Sequence, residues 1–480
     1  MKHQAINPYL PGWEYIPDGE PYVFGDRLYV FGSHDQFGGQ DFCLGNYMGW
    51  SAPVDDLGDW RCEGVIYEKT QDPLYKPGNR MFAPDVQQGA DGRYYLYYGF
   101  DFVGVIGVAV CDTPAGHYRF YGHVHYPDGT LLGRRAGDQF QYDPGVQVEP
   151  DGRVFLYTGF CFDAGMPFFA RFLGIQANEQ GAMVTQLEPD MVTVKTAPRF
   201  LVPCAAAAQG TGFEGHAFFE ASSLRHIGDK YYFVYSAQHG DELCYAVSDR
   251  PDGGFAFGGV IISNGDLGYQ GNQQPMNYTG TNHGSLVQVG DSVYIFYHRQ
   301  TGGTPFGRQG CAERVTILPD GSIPQVCITS QGLNGEPLAG KGTYNAANAC
   351  CLLSAQGAAA YIPRVPLDGV HPFFTQAGPD REGDAANYIA NLQDGAAFGF
   401  RYFRLAEGTR IRAAVRGSFA GTVEVSDSLR GTPAARLTVT PAADWTDTDT
   451  VTLDLPAGDT ALWLCCRGEG TLEVRDITLL

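Results

Sequence analysis

One phrase recurs through this chain and constrains its fold more than any other feature. "GDRLYVFGS" at 25–33 returns as "DGRYYLYYG" (91–99), "DGRVFLYTG" (151–159), "GDKYYFVYS" (228–236) and "GDSVYIFYH" (290–298). Each copy is a Gly-Asp or Asp-Gly turn followed by aromatic and aliphatic strand formers. Aligned on Arg27, Arg93, Arg153, Lys230 and Ser292, the copies stand 66, 60, 77 and 62 residues apart. A period of that length holds about four short strands with their loops. Runs such as "GVIGVAVCD" (104–112) and "ELCYAVSDR" (242–250) supply further strands, and no sustained helical period interrupts residues 1–330. Five such sheets set radially hide most of their edges and leave a central channel. The reading is all-β: a five-bladed β-propeller. An irregular β-sandwich with coincident turns is the alternative, and the number of matched copies counts against it.

At 480 residues the chain exceeds one ordinary core, and its composition changes near residue 340. The stretch "LNGEPLAGKGTYNAANACCLLSAQGAAA" is small and polar, and alternating runs follow it: "RIRAAVRG" (410–417), "GTVEVSD" (421–427), "DTVTLDLPAG" (449–458) and "ALWLCCRG" (461–468). The expected division is a propeller over 1–335 and a jelly-roll-like β-sandwich over 336–480. A formal net charge of −21 argues against nucleic acid or an anionic membrane surface as partner. No apolar run reaches 18 residues, so no membrane span is expected. The start "MKHQAINPYLPGWEY" has no apolar signal core, and the 12 cysteines form no C-x-x-C pair. Both features point to a cytoplasmic protein with reduced, mostly buried thiols.

A polar residue stands in an apolar or small setting ahead of every repeat. The set is Asp18 in "YIPDGEPYVF", Asp85 in "RMFAPDVQQG", Asp143 in "FQYDPGVQVEP", Glu220 in "AFFEASSLRHI" and His283 in "GTNHGSLVQV". Their offsets to the aligned positions are 9, 8, 10, 10 and 9 residues, so equivalent blades would aim them at one place on the axis. Gathering carboxylates is unfavourable, because like charges repel and burial opposes ionisation. Sites that do so are candidates for catalysis. Each aspartate taken alone also reads as a turn initiator, whereas Glu220 in "FFEASS" has no such role. Two or three carboxylates around a neutral pocket suit hydrolysis of a glycosidic bond. One protonates the leaving oxygen, one serves as base on water or as nucleophile, and a third tunes the acid.

On these residues the chain resembles glycoside hydrolase family 43, five-bladed propellers that cleave β-xylosides or α-L-arabinofuranosides with inversion. The similarity runs through "NPYLPGWEYIPDGEPYVFGDRLYVFGSHD", "MFAPDVQQGADGRYYLYY", "YDPGVQVEPDGRVFLYTG", "FFEASSLRHIGDKYYFVYS", "TNHGSLVQVGDSVYIFYHR" and "FGRQGCAERVTILPDGSIPQV", within residues 7–330. The resemblance implies Asp18 as general base, Asp143 as the pKa-modulating carboxylate and Glu220 as general acid. It implies substrate contacts from His34, Phe82, Asp85, His283 and Arg308, with Phe82 standing where many relatives carry a tryptophan. His283 matches an axial histidine associated with a central water or a calcium ion. No cofactor is required on this reading, and any axial calcium would meet His283 through water. Two departures matter. "DGEP" replaces D-P-x-x and makes Glu20 a rival for the base, and "FAPD" replaces W-A-P-x and leaves the preferred sugar open.

The last third is similar to family-6-like carbohydrate-binding sandwiches through "NYIANLQDGAAFGFRYFRL" and "RAAVRG". There Trp445 and Trp463 are either a sugar platform or core. The implied function is an exo-acting hydrolase that takes α-L-arabinofuranosyl or β-D-xylosyl residues from the non-reducing ends of plant-derived oligosaccharides. Other readings are a galactofuranosidase or endo-arabinanase on the same scaffold, or an inactive sugar-binding propeller. Retention of Asp18, Asp143 and Glu220 together argues against the last.

Overall fold

The structure, a computed structural model, describes residues 3–101, 103–161, 178–361, 366–381 and 386–480. Five antiparallel sheets follow one another in chain order. Blades one to four have four strands each, and each blade opens on its innermost strand: Glu20–Phe24, Asp85–Gln88, Gly145–Val148 and Phe218–Ile227. Blade five has three, beginning with Leu286–Val289. The repeated phrase is the second strand in every blade, from Arg27–Phe31 to Ser292–Thr301.

The turn chemistry explains why the phrase alternates between Gly-Asp and Asp-Gly. In blades one, four and five, two residues link the paired strands, and the first is Gly25, Gly228 or Gly290 with φ of 63°, 66° and 58°. Two-residue hairpins need that left-handed glycine first. In blades two and three the link is three residues long, closed by Gly89 N–H to the Arg93 carbonyl and Glu149 N–H to the Arg153 carbonyl. There the glycine comes last, as Gly92 (φ 81°) and Gly152 (φ 84°), which is the usual place in a three-residue loop.

Both faces of the second strands are buried, which is why they read as continuous apolar runs rather than alternating ones. Tyr95 and Tyr97 pack toward blade three beside Val146 and Leu156. Leu96 and Tyr98 pack toward blade one beside Phe31 and Ile66. One apolar wedge of this kind fills each junction around the ring. The ring closes through the N-terminal segment, which lies along the outer strand of blade five, Gly307–Val315. Asn7, only 3% exposed, donates to the carbonyls of Ala312 and Thr329 at 3.0 Å, and its Oδ1 accepts the Ala312 N–H at 2.9 Å. Asn7→Ala orphans all three groups, so a loss of about 3 kcal/mol and a lower Tm in thermal melts are expected.

The remaining strands form two facing sheets. One is centred on Ala397–Leu405 and Gly458–Glu469, the other on Arg410–Gly417 and Leu472–Leu479. Their shared core includes Phe398, Phe400, Ile411, Val423, Leu464 and Ile477. This sandwich is fused to the propeller by apolar packing, since Cys351, Leu353 and Trp463 join the wedge between blades four and five. Trp463 is 4% exposed and lies over Gly399, where a Cβ would sit 2.9 Å from its ring. It is core. Trp445 is half-buried, with the Arg416 and Arg475 guanidiniums 4.4 and 5.2 Å from its ring. All 12 cysteines are free thiols.

Candidate active site

The innermost strands set the depth of each axial side chain, about 3.3 Å per residue. Asp18 and Asp143 stand two residues before their strands, whereas Glu20 and Asp85 are the first residues of theirs. The axial polar groups therefore fall into two layers. The upper layer holds Asp18, Asp143 and Glu220. Its backbone is strained: Asp18 (φ 57°), Asp143 (φ 43°) and Ala221 (φ 65°), which follows Glu220, are all left-handed without being glycine. Strain of about 1–3 kcal/mol per residue concentrates at functional positions. Register shifts flank Glu220 on both sides in its pairing with the next strand, so bulges re-aim this side chain.

Asp18 is held by two groups. Arg308 Nη1 donates to its Oδ1 at 3.0 Å, and the Asp18 backbone N–H donates to His298 Nδ1 at 3.3 Å. His298 Nε2 donates to the Thr281 carbonyl at 2.6 Å, which fixes the ring. Burial opposes ionisation of Asp18, but Arg308, His298 and His283 outweigh it and hold the carboxyl well below the usual range. Glu220 behaves oppositely. Burial, with Asp143 and Asp18 adding repulsion, pushes it up to about 8. Burial also pushes Asp143 up to about 7, with His283 opposing and Asp18 adding. Asp143 accepts the Ala221 N–H at 3.1 Å, which ties it to the backbone next to Glu220. An ionised Asp18 thus faces a Glu220 that keeps its proton near neutral pH, the division of labour that separates a base from an acid.

The lower layer is a strut. Glu20 Oε2 accepts from Arg225 Nη2 and, at 2.9 Å, from Ser223 Oγ. Glu20 is 1% exposed, and these two bonds make it an anchor of the axis. Asp85 is fully buried, and its two oxygens accept the N–H groups of Val86 and Val146 at 2.8 and 2.7 Å. It stitches blade two to blade three through these backbone bonds. His283 bridges the layers, with Nε2 3.5 Å from Glu20 Oε1 and Nδ1 3.7 Å from Asp143 Oδ2. Burial disfavours its cation, yet Glu20, Asp143 and Asp18 outweigh that and raise its pKa to about 9.

Calcium takes six to eight oxygens, and the protein oxygens at this level are few. Of the lower-layer oxygens, only Glu20 Oε1 lacks a hydrogen-bond partner. Among the described residues, three metal-ligating side chains converge within 4.8 Å at His216, Glu242 and Cys244, and Glu242 and Cys244 belong to the third strand of blade four, away from the axis.

Two further expected contacts carry bonds within the protein. Arg308 spends Nε and Nη2 on Asp35 at 2.8 and 3.1 Å and Nη1 on Asp18. These bonds clamp Asp18 and Asp35 to one guanidinium. His34 is 6% exposed, donating from Nδ1 to the Asn46 carbonyl at 2.9 Å, with Nε2 3.3 Å from Glu14. It too serves the protein frame. Phe82 remains half-buried against Tyr142, with ring centres 5.3 Å apart. Tyr142 continues to Phe160 at 4.9 Å, and Phe160 to Phe219 at 5.6 Å. This arc runs past Asp143 and Glu220 and offers half-exposed faces for a sugar ring.

The protonation states set the pH response. Activity is expected to fall as pH rises through about 8, where Glu220 loses its proton, and to persist on the acid side until Asp18 protonates. Stability follows the same proton. The folded state holds it from 4.5, the ordinary glutamate value, up to about 8, so it binds more protons than the unfolded chain there and loses stability as pH rises. Glu220→Gln should therefore raise Tm at pH ~8 and leave it unchanged near pH ~4.

A propeller that sets an ionised carboxylate against a protonated one beside an aromatic wall is built as an acid–base site for a carbohydrate. Residues 24–323 match the model of glycosyl hydrolases family 43, and the chain belongs to that family. It is 48% identical to a xylosidase/arabinosidase of Thermoclostridium stercorarium over 100% of this chain and 99% of that one. A xylosidase/arabinosidase of Bacteroides ovatus is 27% identical over 60% of this chain and 87% of its own. In structure, the chain is similar to the family 43 arabinoxylan arabinofuranohydrolase of Bacillus subtilis, with a TM-score of 0.51 and 18% identity, covering 98% and 97% of the two chains.

Proposed function

We propose that the protein is an exo-acting glycosidase that removes α-L-arabinofuranosyl or β-D-xylosyl residues from the non-reducing ends of oligosaccharides, with inversion. One observation carries the mechanism: Asp18 is held ionised while Glu220 is held protonated near neutral pH. Asp18 takes a proton from water as that water attacks the anomeric carbon, and Glu220 delivers its proton to the departing oxygen. Asp143 orients Glu220 and keeps its proton on, and the His283 cation balances the charge of the cluster. Two carboxyl groups and water suffice, so the reaction calls for no organic cofactor. The choice of sugars rests on the full-length relative named xylosidase/arabinosidase. The propeller, 1–335, carries the chemistry, and free thiols suit work on imported oligosaccharides in the cytoplasm.

A screen of nitrophenyl glycosides tests the substrate, with α-L-arabinofuranoside and β-D-xyloside expected to be cleaved and a galactofuranoside spared. Proton NMR of the first product should show the anomer opposite to the substrate. A retained anomer would overturn Asp18 as base.

A further inference from the structure

The sandwich reaches the rim of the catalytic channel through the loop that follows its strand Phe373–Gln376. From this loop Arg381 Nη1 donates to both oxygens of Glu14, at 2.8 and 2.9 Å, and lies 3.2 Å from His34 Nε2. Its neighbour Asp380 accepts the Phe37 N–H at 2.9 Å, and Gln376 accepts from the Tyr15 hydroxyl at 2.9 Å. Tyr15 in turn stacks on Phe37, with ring centres 5.8 Å apart. Four contacts thus grip the short propeller segments 14–15 and 34–37. Between His34 and Phe37 lies Asp35, fully buried, whose carboxylate receives Arg308 Nε and Nη2. Arg308 then holds Asp18. Arg381 itself adopts φ 59°, a strained conformation that a surface decoration would have no reason to keep.

From this chain of contacts we infer that Arg381 is a positioning residue of the hydrolytic site: the sandwich works as a brace that aims the general base through His34, Asp35 and Arg308. The inference rests on Asp18 being that base. The physical logic is one of stiffness. Asp35 and Asp18 are like charges sharing one guanidinium, so a small shift of the 34–37 segment alters how Arg308 divides between them. Glu14 is 2% exposed and also accepts from Trp50 Nε1 at 2.8 Å and from the Tyr15 N–H at 3.3 Å. Without Arg381 this buried carboxylate keeps its charge but loses the one guanidinium that donates to both its oxygens, and the segment relaxes. Burial opposes the Glu14 charge, and His34 and Arg381 together outweigh it.

The test compares Arg381→Ala, Arg381→Lys and wild type on an aryl glycoside, with kcat, KM and the pH profile measured for each. Arg381→Ala should lose about 10- to 100-fold in kcat with KM within about twofold, the signature of a misaimed group and not of lost sugar binding. The acidic limb of its kcat profile should move to higher pH, because Asp18 loses part of its hold on Arg308. Around Asp18 the other titratable groups are His298, His283, Asp143, Glu220, Cys43, Tyr9, Tyr47 and Tyr142, and none of them changes in this variant. Arg381→Lys should recover part of kcat, and Arg404→Ala, which breaks an exposed sandwich ion pair with Asp459, should behave as wild type.

Unchanged kcat and acidic limb in Arg381→Ala would overturn the inference, as would a lowered Tm with kcat intact. A rise in KM confined to long oligosaccharides would overturn it in favour of a sugar-binding role. Should Arg381→Ala not fold, Asp380→Ala, which frees only the Phe37 amide, carries the same readouts. Asp18→Asn run alongside separates the two levels: if it stays active, the base assignment itself has failed.

Discussion

Asp18→Asn is expected to lose about 10²–10⁴ in kcat/KM on every substrate, because the base activates water whatever group departs. Glu220→Gln should divide substrates instead. A sugar leaving group needs the proton, so activity on oligosaccharides should collapse by a similar factor. A nitrophenolate leaves without it, so a sizeable fraction should survive there. Asp143→Asn should fall between, because it removes the repulsion that keeps Glu220 protonated but transfers no proton itself. Kinetics of the three variants on one aryl glycoside and one oligosaccharide decide the matter. Rescue of Asp18→Asn by the better leaving group would mean that acid and base are exchanged.

Glu20→Gln should lose about 3 kcal/mol of stability, because it leaves the Arg225 charge buried without its hydrogen-bonded carboxylate. The Arg225 guanidinium is 4.1 Å from the Tyr22 ring and donates to the Leu286 carbonyl at 2.9 Å, so it cannot swing out to water. Asp85 tempers the effect. Burial and the Glu20 charge push its pKa up to about 7, and it ionises more readily once Glu20 is neutral. Calorimetry against single-turnover kinetics separates strut from base: Tm should drop while kcat of the folded fraction stays within about tenfold. A collapse of kcat at unchanged Tm would return Glu20 to candidacy as the base.

The architecture was legible in the sequence because its determinants are local. Five glycines that must turn left-handed each print a Gly-Asp or Asp-Gly beside a strand, and the order of the pair even encodes loop length. The polar set was legible as a set, since equal offsets imply one axis, but its members were not interchangeable. Asp85 stands one offset step nearer its repeat than Asp18, and that step carries it down from the reacting layer into backbone hydrogen bonds. Glu20 lies two residues past Asp18 and drops for the same reason. The partners that hold Asp18 were the illegible part. His298, Asp35 and Arg381 come from the second strand of blade five, a loop of blade one and the sandwich. No spacing along the chain announces such meetings. Trp463 read more as core than as platform from its sequence, but its partners, Gly399 and the propeller wedge, were not legible there.

Closure of the ring by the segment around Asn7 has a bearing on how the molecule comes apart. An open array of repeats frays from its ends, losing one unit at a time. Here there is no end to fray: freeing any one blade exposes two wedges at once, and the fourth-to-fifth wedge is shared with Trp463 and Leu353 of the sandwich. Partial unbuttoning is thereby penalised at every blade. The segment around Asn7 carries the closure, through hydrogen bonds to Ala312 and Gly310 of blade five and to Thr329 and Ser330 beyond it, which makes it the place where opening undoes the ring. Once it lets go, the closed circle becomes a linear stack with two exposed rims, and the resistance to unzipping that closure conferred is lost in one step.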